Sequence, residues 1–251
     1  MSEQIVVALA GNPNSGKTTL FNNLTGTRQH VGNYPGVTVE RKEGVCRHGS
    51  KEIRVIDLPG TYSLTAYSTE EVVARNVIID EKPDIVVVVI DASNLERNLY
   101  LAVQIKELGV PMVMAFNMSD TARARGHVFD TEKLSGFFGA PIVQTVGHKG
   151  MGMRELLDAI VSAAGERKNG RDGTIDYGRE IEEEVSRIQK LVEEEGSPSA
   201  RNGRARWTAV KLLENDGEVR SQIDSHRISD QVEKSAARVE EMLGEPPETA
   251  I

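Results

Sequence analysis

Ile5-Val6-Val7-Ala8-Leu9-Ala10-Gly11-Asn12-Pro13-Asn14-Ser15-Gly16-Lys17-Thr18 is the stretch that decides how this chain is read. Its last eight residues fit G-x-x-x-x-G-K-[ST], a loop that wraps nucleotide phosphates. The six before them are apolar and strand-sized, as a buried strand entering such a loop should be. Thr19-Leu20-Phe21-Asn22-Asn23-Leu24 can then open as a helix. A strand, a tight turn and a helix start gather backbone N–H groups and the positive end of a helix dipole at one point. Lys17 adds a mobile charge for β- and γ-phosphates, and the Thr18 hydroxyl is suited to Mg²⁺. ATP and GTP both remain open at this stage.

Working outward, Thr25–Thr38 is rich in Gly, Asn and Pro and reads as a loop, one that a ligand could order. Val39–Arg47 and Glu52–Ile56 read as a hairpin around His48-Gly49-Ser50-Lys51. Glu40, Arg41, Lys42 and Glu43 load its first strand with charge, which suits a sheet edge. The second strand ends in Asp57-Leu58-Pro59-Gly60. An Asp at a strand end downstream of a phosphate loop is the expected holder of the Mg²⁺ shell. Gly60, with no Cβ in the way, can turn its N–H toward a γ-phosphate.

Further along, Ser68–Asp80 reads as a helix with Glu70 and Glu71 at its positive end, and Asp84–Asp91 as a strand covered on both faces. Ser93-Asn94-Leu95-Glu96 has the pattern of a capping box for the next helix. Pro111–Phe116 and Pro141–Val146 read as strands, and Asp130–Gly139 and Met151–Ala164 as helices. Strands alternating with crossover helices specify an α/β fold, a mostly parallel sheet with helices on both faces. Ligands of such sheets sit at the C-terminal strand ends, where the phosphate loop, Asp57, Asn117 and the segment after Val146 converge.

Residues 165–173 are rich in Gly, Lys and Arg and read as a linker. Beyond them no strand pattern is found. Ile181, Val185, Ile188 and Val192 keep helical spacing, as do Val232, Ala236, Val239 and Leu243, and Trp207, Val210 and Leu213 mark a helix between. This gives two domains, 1–165 and a small all-helical 166–251. The runs Glu182-Glu183-Glu184 and Glu193-Glu194-Glu195 read as solvated helix faces.

The balance of 30 basic and 38 acidic residues, net −8, argues against a generic nucleic-acid or anionic-membrane surface. One cysteine, Cys46, excludes an internal disulfide framework. No apolar run approaches 18 residues and Met1-Ser2-Glu3-Gln4 does not open a signal peptide, so a soluble intracellular chain is expected.

Asn117 and Asp120 choose the base. A carboxylate can accept both N1–H and the N2 amine of guanine, and adenine offers no such donor pair on that edge. The usual motif is N-K-x-D; here Met118 replaces the Lys, and its thioether can cover the base.

Taken together, G-N-P-N-S-G-K-T-T-L-F-N at 11–22, V-G-N-Y-P-G-V-T-V-E-R at 31–41, D-L-P-G-T-Y-S-L at 57–64, D-A-S-N-L-E-R-N-L at 91–99 and N-M-S-D at 117–120 resemble the cytoplasmic N-terminal region of ferrous iron transport protein B. The resemblance is strong over residues 4–164 and looser in the helical tail. It implies a Ras-like P-loop GTPase domain followed by a helical domain, on the cytoplasmic face of the bacterial inner membrane. The chain, ending Glu-Pro-Pro-Glu-Thr-Ala-Ile, reads as an excised soluble region.

By position, the resemblance assigns the phosphates to Asn14, Ser15, Gly16, Lys17, Thr18 and Thr19. It assigns Mg²⁺ to Thr18 and Thr38 with Asp57 behind, the γ-phosphate to Gly60, and guanine to Asn117, Met118 and Asp120. K⁺ is implied at Asn14 with carbonyls near Gly32 and Tyr34. Asn14, Lys17, Thr38 and Gly60 are then the residues that serve catalysis. Signalling GTPases carry a Gln after the Gly of D-x-x-G to orient water; here the residue is Thr61, and a monovalent cation could supply the charge an arginine finger otherwise brings. The last guanine-contacting loop reads Val146-Gly147-His148-Lys149-Gly150, with Gly147 expected to offer its N–H to the base oxygen from a flexible loop. The implied partners are GTP and GDP, a transmembrane domain of the same full-length protein and small accessory Feo-type proteins.

Two other functions fit the residues. One is a GTP-dependent binding module with negligible turnover. The other is a free-standing GTPase of RNA or ribosome assembly. Against the latter, residues 165–251 hold 14 Lys and Arg against 20 Asp and Glu, net −6, where an RNA-binding appendage should be basic. The five histidines are scattered and place no iron site.

Overall fold

The computed structural model describes residues 4–26, 28–65, 68–166, 175–196 and 204–251. The chain divides into two units, Met1–Gly173 and Thr174–Ile251. Most of the expected linker, 167–173, lies outside the described residues.

In the first unit the order is β1 (Gln4–Gly11), α1 (Lys17–Thr25), β2 (Gln29–Asn33), β3 (Glu40–His48), β4 (Lys51–Asp57), α2 (Thr69–Asn76), β5 (Ile85–Asp91), α3 (Leu95–Glu107), β6 (Met112–Asn117), α4 (Ser119–Ala124), α5 (Thr131–Phe138), β7 (Ile142–Gln144) and α6 (Met153–Glu166). The strands form one sheet in the order β2-β3-β4-β1-β5-β6-β7. β4, β1, β5, β6 and β7 run parallel, and β3 pairs antiparallel with both β4 and β2. One face is closed by Leu20, Phe21 and Leu24 of α1 and Leu156 and Ile160 of α6, packed on Val7, Leu9, Val55, Val87, Val89 and Val113. The alternate residues Ala8, Ile56, Val86, Val88 and Ile90 are buried too, and α3 with Leu101 and Ile105 packs on β5. Burial on both faces is why β5 and β6 are apolar runs rather than alternating ones.

The structure departs from the sequence expectations in places. The loop expected over 25–38 contains β2, whose Gln29–Asn33 pair with Glu40–Gly44 of β3 although all five are exposed. That strand is made by its partner's backbone, so its own side chains carried no periodicity to read. β2, not β3, is therefore the sheet edge. The charges of β3 serve as ion pairs instead: Arg41 with Glu43 and with Glu81, and Glu43 with Arg54 of β4 at 3.3 Å.

The capping box expected at Ser93 does not form. Asp91 accepts the Ser93 N–H at 2.8 Å and Ala92–Asn94 makes a 3-10 turn before α3. The box lies instead at α2, where Ser68 and Glu71 satisfy each other's backbone N–H groups. A π-helical turn, Val77–Glu81, follows α2 directly.

The second unit holds α7 (Arg179–Glu194), α8 (Ala205–Leu213), α9 (Gly217–Ser221), α10 (His226–Leu243) and α11 (Pro247–Ala250). Ile181, Val185, Ile188 and Val192 of α7 are buried, and α7 packs on both α8 and α10. Ile228, Val232 and Val239 are buried on α10, but Leu243, expected on that face, is 41% exposed, because Gly244 ends the helix there in a left-handed cap. Nor are the glutamates of 182–184 simply solvated. Glu184 is buried and accepts from Ser235 Oγ at 2.6 Å, with Arg238 at 3.5 Å and Arg187 beside it. Glu182 takes a two-pronged contact from Arg206, at 2.7 and 2.8 Å.

That contact holds the Glu182 carboxyl below the ordinary glutamate value. A depressed folded-state pKa means the pair stabilises fully above the unfolded value and is lost as pH falls through the folded one. Glu182→Gln should lower stability by about 1 kcal/mol at pH 7, with the gap from the parent closing below about pH 4. Urea unfolding followed by Trp207, the only tryptophan and a buried residue of α8, checks this; an equal gap at both pH values would refute it.

Candidate functional site

The parallel register fixes where the candidate residues meet. Leu9 lies opposite Asp57, Gly11 opposite Val89 and Asp91 opposite Asn117. Gly11, Asp57, Asp91 and Asn117 are the last residues of their strands. Leu58 N–H donates to the Leu9 carbonyl at 3.0 Å and Thr61 N–H to that of Gly11 at 3.3 Å, so 57–61 lies along the phosphate loop.

Within the loop, Ser15 N–H returns to the Asn12 carbonyl at 3.1 Å, and Asn14 and Gly16 are left-handed, at φ 66° and 85°. Gly16 caps α1 without a side-chain bond. Lys17, the first helical residue, is buried and paired with Asp57, also buried. Thr18, Thr19 and Asn14 are exposed. Two buried atoms here, Asn12 Oδ1 and Ser15 Oγ, have no hydrogen-bond partner. Gly60 is exposed beside Pro13, where a Cβ would reach ordinary contact at 3.5 Å.

Asn117 ties three segments together. Its Nδ2 donates to the Ser15 carbonyl at 2.9 Å, and its Oδ1 accepts from Gly147 N–H at 2.9 Å and Thr145 Oγ1 at 3.3 Å. A Cβ on Gly16 would fall 2.1 Å from Asn117 Nδ2, so both the contact and the positive φ require glycine there. Gly147 N–H, expected to face a base oxygen, is thus donated to Asn117. The loop is also less slack than a glycine suggests. Val146 and Met151 bridge at 3.1 and 3.2 Å, and Lys149 N–H returns to the Val146 carbonyl at 3.0 Å.

Met118 is left-handed at φ 57°, and its Cε would lie 3.8 Å from a Cβ on Gly16. Asp120 accepts from Lys149 Nζ at 2.7 Å, with His148 Nε2 3.7 Å away, and the lysine holds its carboxyl below the usual carboxylate range. Lys149 and His148 were not singled out from the sequence. No local spacing along the chain ties them to Asp120, which they reach from the loop after β7.

The segment expected to meet the cations lies partly in the sheet. Gly32 is a residue of β2, opposite Arg41, and Thr38 is exposed between β2 and β3. Tyr34 is buried, its hydroxyl donating to the Asp57 carbonyl at 3.3 Å and Arg41 5.1 Å from its ring centre. Burial pushes its phenol well above the usual value, with Arg41 opposing.

The available donors, hydroxyls of Thr18 and Thr38 and the Asp57 carboxylate, are hard oxygens of the kind Mg²⁺ takes, and an Asn amide with main-chain carbonyls suits K⁺ equally. Among the described residues no group of three or more His, Cys, Asp and Glu is placed to hold a metal by itself.

The sequence profile of ferrous iron transport protein B matches residues 5–160, and that of the FeoB cytosolic helical domain matches 177–251. This chain belongs to the ferrous iron transport protein B family. It is similar to the Fe(2+) transport protein A/Fe(2+) transporter FeoB fusion protein of Porphyromonas gingivalis, 49% identical over 86% of this chain and 26% of that one. It is 38% identical to Fe(2+) transporter FeoB of Salmonella typhimurium over 97% of this chain and 31% of the relative. Thus it spans under a third of the length of these relatives. Among solved structures it is similar to an S. thermophilus NFeoB mutant bound to mGDP, at 38% identity and TM-score 0.88, covering 99% of this chain and 94% of that one.

Within the family fold, the Asn117 brace and the crowded Gly147 yield two expectations. Asn117→Ala should cost about 2–3 kcal/mol of stability without nucleotide, since three hydrogen bonds go at once; urea unfolding measures it, and a loss under about 0.5 kcal/mol would show the brace to be slack. At Gly147 a Cβ would stand 2.8 Å from Leu20 Cδ1 and 3.3 Å from Asn117 Oδ1. Gly147→Ser must therefore shift Leu20 or the brace, and GDP release should change several-fold in a stopped-flow comparison; identical rates would dispose of the idea.

Proposed function

We propose that this chain is the GTP-binding, slowly GTP-hydrolysing regulatory region of a ferrous iron transporter, coupling nucleotide state to Fe²⁺ uptake through a membrane domain outside the given sequence. The carrying observation is the convergence of 11–18, Asp57–Gly60, Asn117–Asp120 and Gly147 at adjoining strand ends, with Asn117 bonded to both the phosphate loop and the last loop. The nucleotide-bound relatives, mGDP in one and GDP in others, support the choice of guanine. A cytoplasmic location at the inner membrane fits relatives described as cytosolic domains. No helix among the described residues is long and apolar enough to cross a membrane. The fusion relative is consistent with an accessory Feo-type partner.

In this reading Ser15, Gly16, Lys17, Thr18 and Thr19 cradle the phosphates at the start of α1, where first-turn N–H groups lack partners within the helix. Lys17 must first leave Asp57. Gly60 N–H donates to the γ-phosphate, Met118 covers the base, and Asp120 takes its two donors. Val146 shapes the loop that closes over it. Thr18 and Thr38, with Asp57 behind, would hold Mg²⁺, and Asn14 with carbonyls near Gly32 and Tyr34 would hold K⁺; both ions would supply positive charge to the phosphate oxygens. For Gly32 and Thr38 to serve there, the 29–38 segment would give up part of its pairing with β3.

Hydrolysis should be slow because Thr61 is buried and its short hydroxyl side chain replaces the longer Gln that orients water in signalling GTPases. The same observation favours the second reading, a GTP-dependent binding module with negligible turnover. Asn14 supports the cation role by being exposed, left-handed and, among the described residues, without a side-chain hydrogen bond. Phosphate release from GTP should rise at least about tenfold when K⁺ replaces Na⁺, and Asn14→Ala should abolish that rise. Equal turnover in both salts would remove K⁺ from the mechanism, and no turnover in either would leave the binding module.

A further inference from the structure

We infer that Lys149 is a built-in competitor for the base site: its ammonium occupies the Asp120 carboxylate that guanine must take over, so guanine binding is an exchange of donors and release is assisted by the lysine's return. The inference rests on the guanine-nucleotide reading proposed above.

Both oxygens of Asp120 are engaged. Oδ1 accepts the Thr121 N–H at 2.9 Å, and Oδ2 accepts Lys149 Nζ at 2.7 Å. Guanine presents two adjacent donors, N1–H and the N2 amine, to just such a carboxylate. The lysine therefore already engages one of the two oxygens that the base donors would share. Its placement is set by the fold. Asn117 Oδ1 holds Gly147 N–H, the 3-10 turn Gly147–Lys149 follows, and the Val146–Met151 bridge closes the loop. The ammonium is thereby delivered from the last loop to the carboxylate at the start of α4. His148 Nε2, 3.7 Å from the same oxygen, is too distant for a hydrogen bond. The pair is half open to water, with Lys149 52% and Asp120 31% exposed, so the competition is modest and sensitive to salt.

The sign of the effect separates this role from ordinary electrostatics. Removing a cation near a polyphosphate site should weaken binding of the anion, whereas removing a competitor should strengthen it. With the full chain and fluorescent N-methylanthraniloyl nucleotides, Lys149→Met should bind GDP about threefold tighter, mostly through slower release. Lys149→Arg should behave as the parent. The gain should shrink as salt rises and screens the pair. The adenine analogue, with no donor pair to exchange, should gain nothing. If Lys149→Met binds GDP equally or more weakly while the parent binds it normally, the competitor role is wrong and the nucleotide reading stands. If the parent binds no guanine nucleotide, both fall.

Discussion

The Asn117 side chain is the constraint on which the site depends. One amide donates to the phosphate loop and accepts from the loop after β7, joining residues 102 and 30 positions away in sequence. An amide is suited to this because it carries donors and an acceptor on one rigid plane, and burial makes each bond costly to leave unmade. Gly16 must be glycine to admit it, and Gly147 is crowded against it. The residue read from sequence as a base contact is, in the structure, first of all a brace.

Two ion pairs then fill the proposed nucleotide site from within. Lys17 meets Asp57 at the phosphate end and Lys149 meets Asp120 at the base end. Each joins a cation to the carboxylate that a bound nucleotide or its metal would claim. A buried charge left unpaired is expensive, so the Lys17–Asp57 pair satisfies both groups where each would otherwise be stranded. The exposed Lys149–Asp120 pair has no such penalty behind it, and its strength is correspondingly small.

Much of this was legible because the signals were local. The phosphate loop, Asp57-Leu58-Pro59-Gly60 and Asn117-Met118-Ser119-Asp120 each sit beside an apolar strand, and strand ends are where such folds bind ligands. What stayed hidden was made by partners distant in sequence. β2 exists because the β3 edge offers it hydrogen bonds, not because Gln29–Asn33 alternate. Glu184 is buried because Ser235 and Arg238 of α10 come to it, while its sequence neighbours suggested a solvated run. No capping box forms at Ser93 because Asp91, ending β5, takes the Ser93 N–H.

The sequence by itself therefore determined the chemistry on offer: a phosphate loop at a strand end, hard-oxygen side chains near it, a carboxylate proposed to take the base, and an α/β unit followed by a helical one. Periodicity and short motifs act over a few residues, and that is the range in which single-chain reasoning works. The tertiary structure alone decided which polar groups are already committed to each other. Gly147 N–H belongs to Asn117, Asp120 to Lys149, and the Tyr34 hydroxyl to the Asp57 carbonyl. Hydrogen-bond partners depend on ångström-scale placement by the sheet register, which no spacing of residues along the chain encodes.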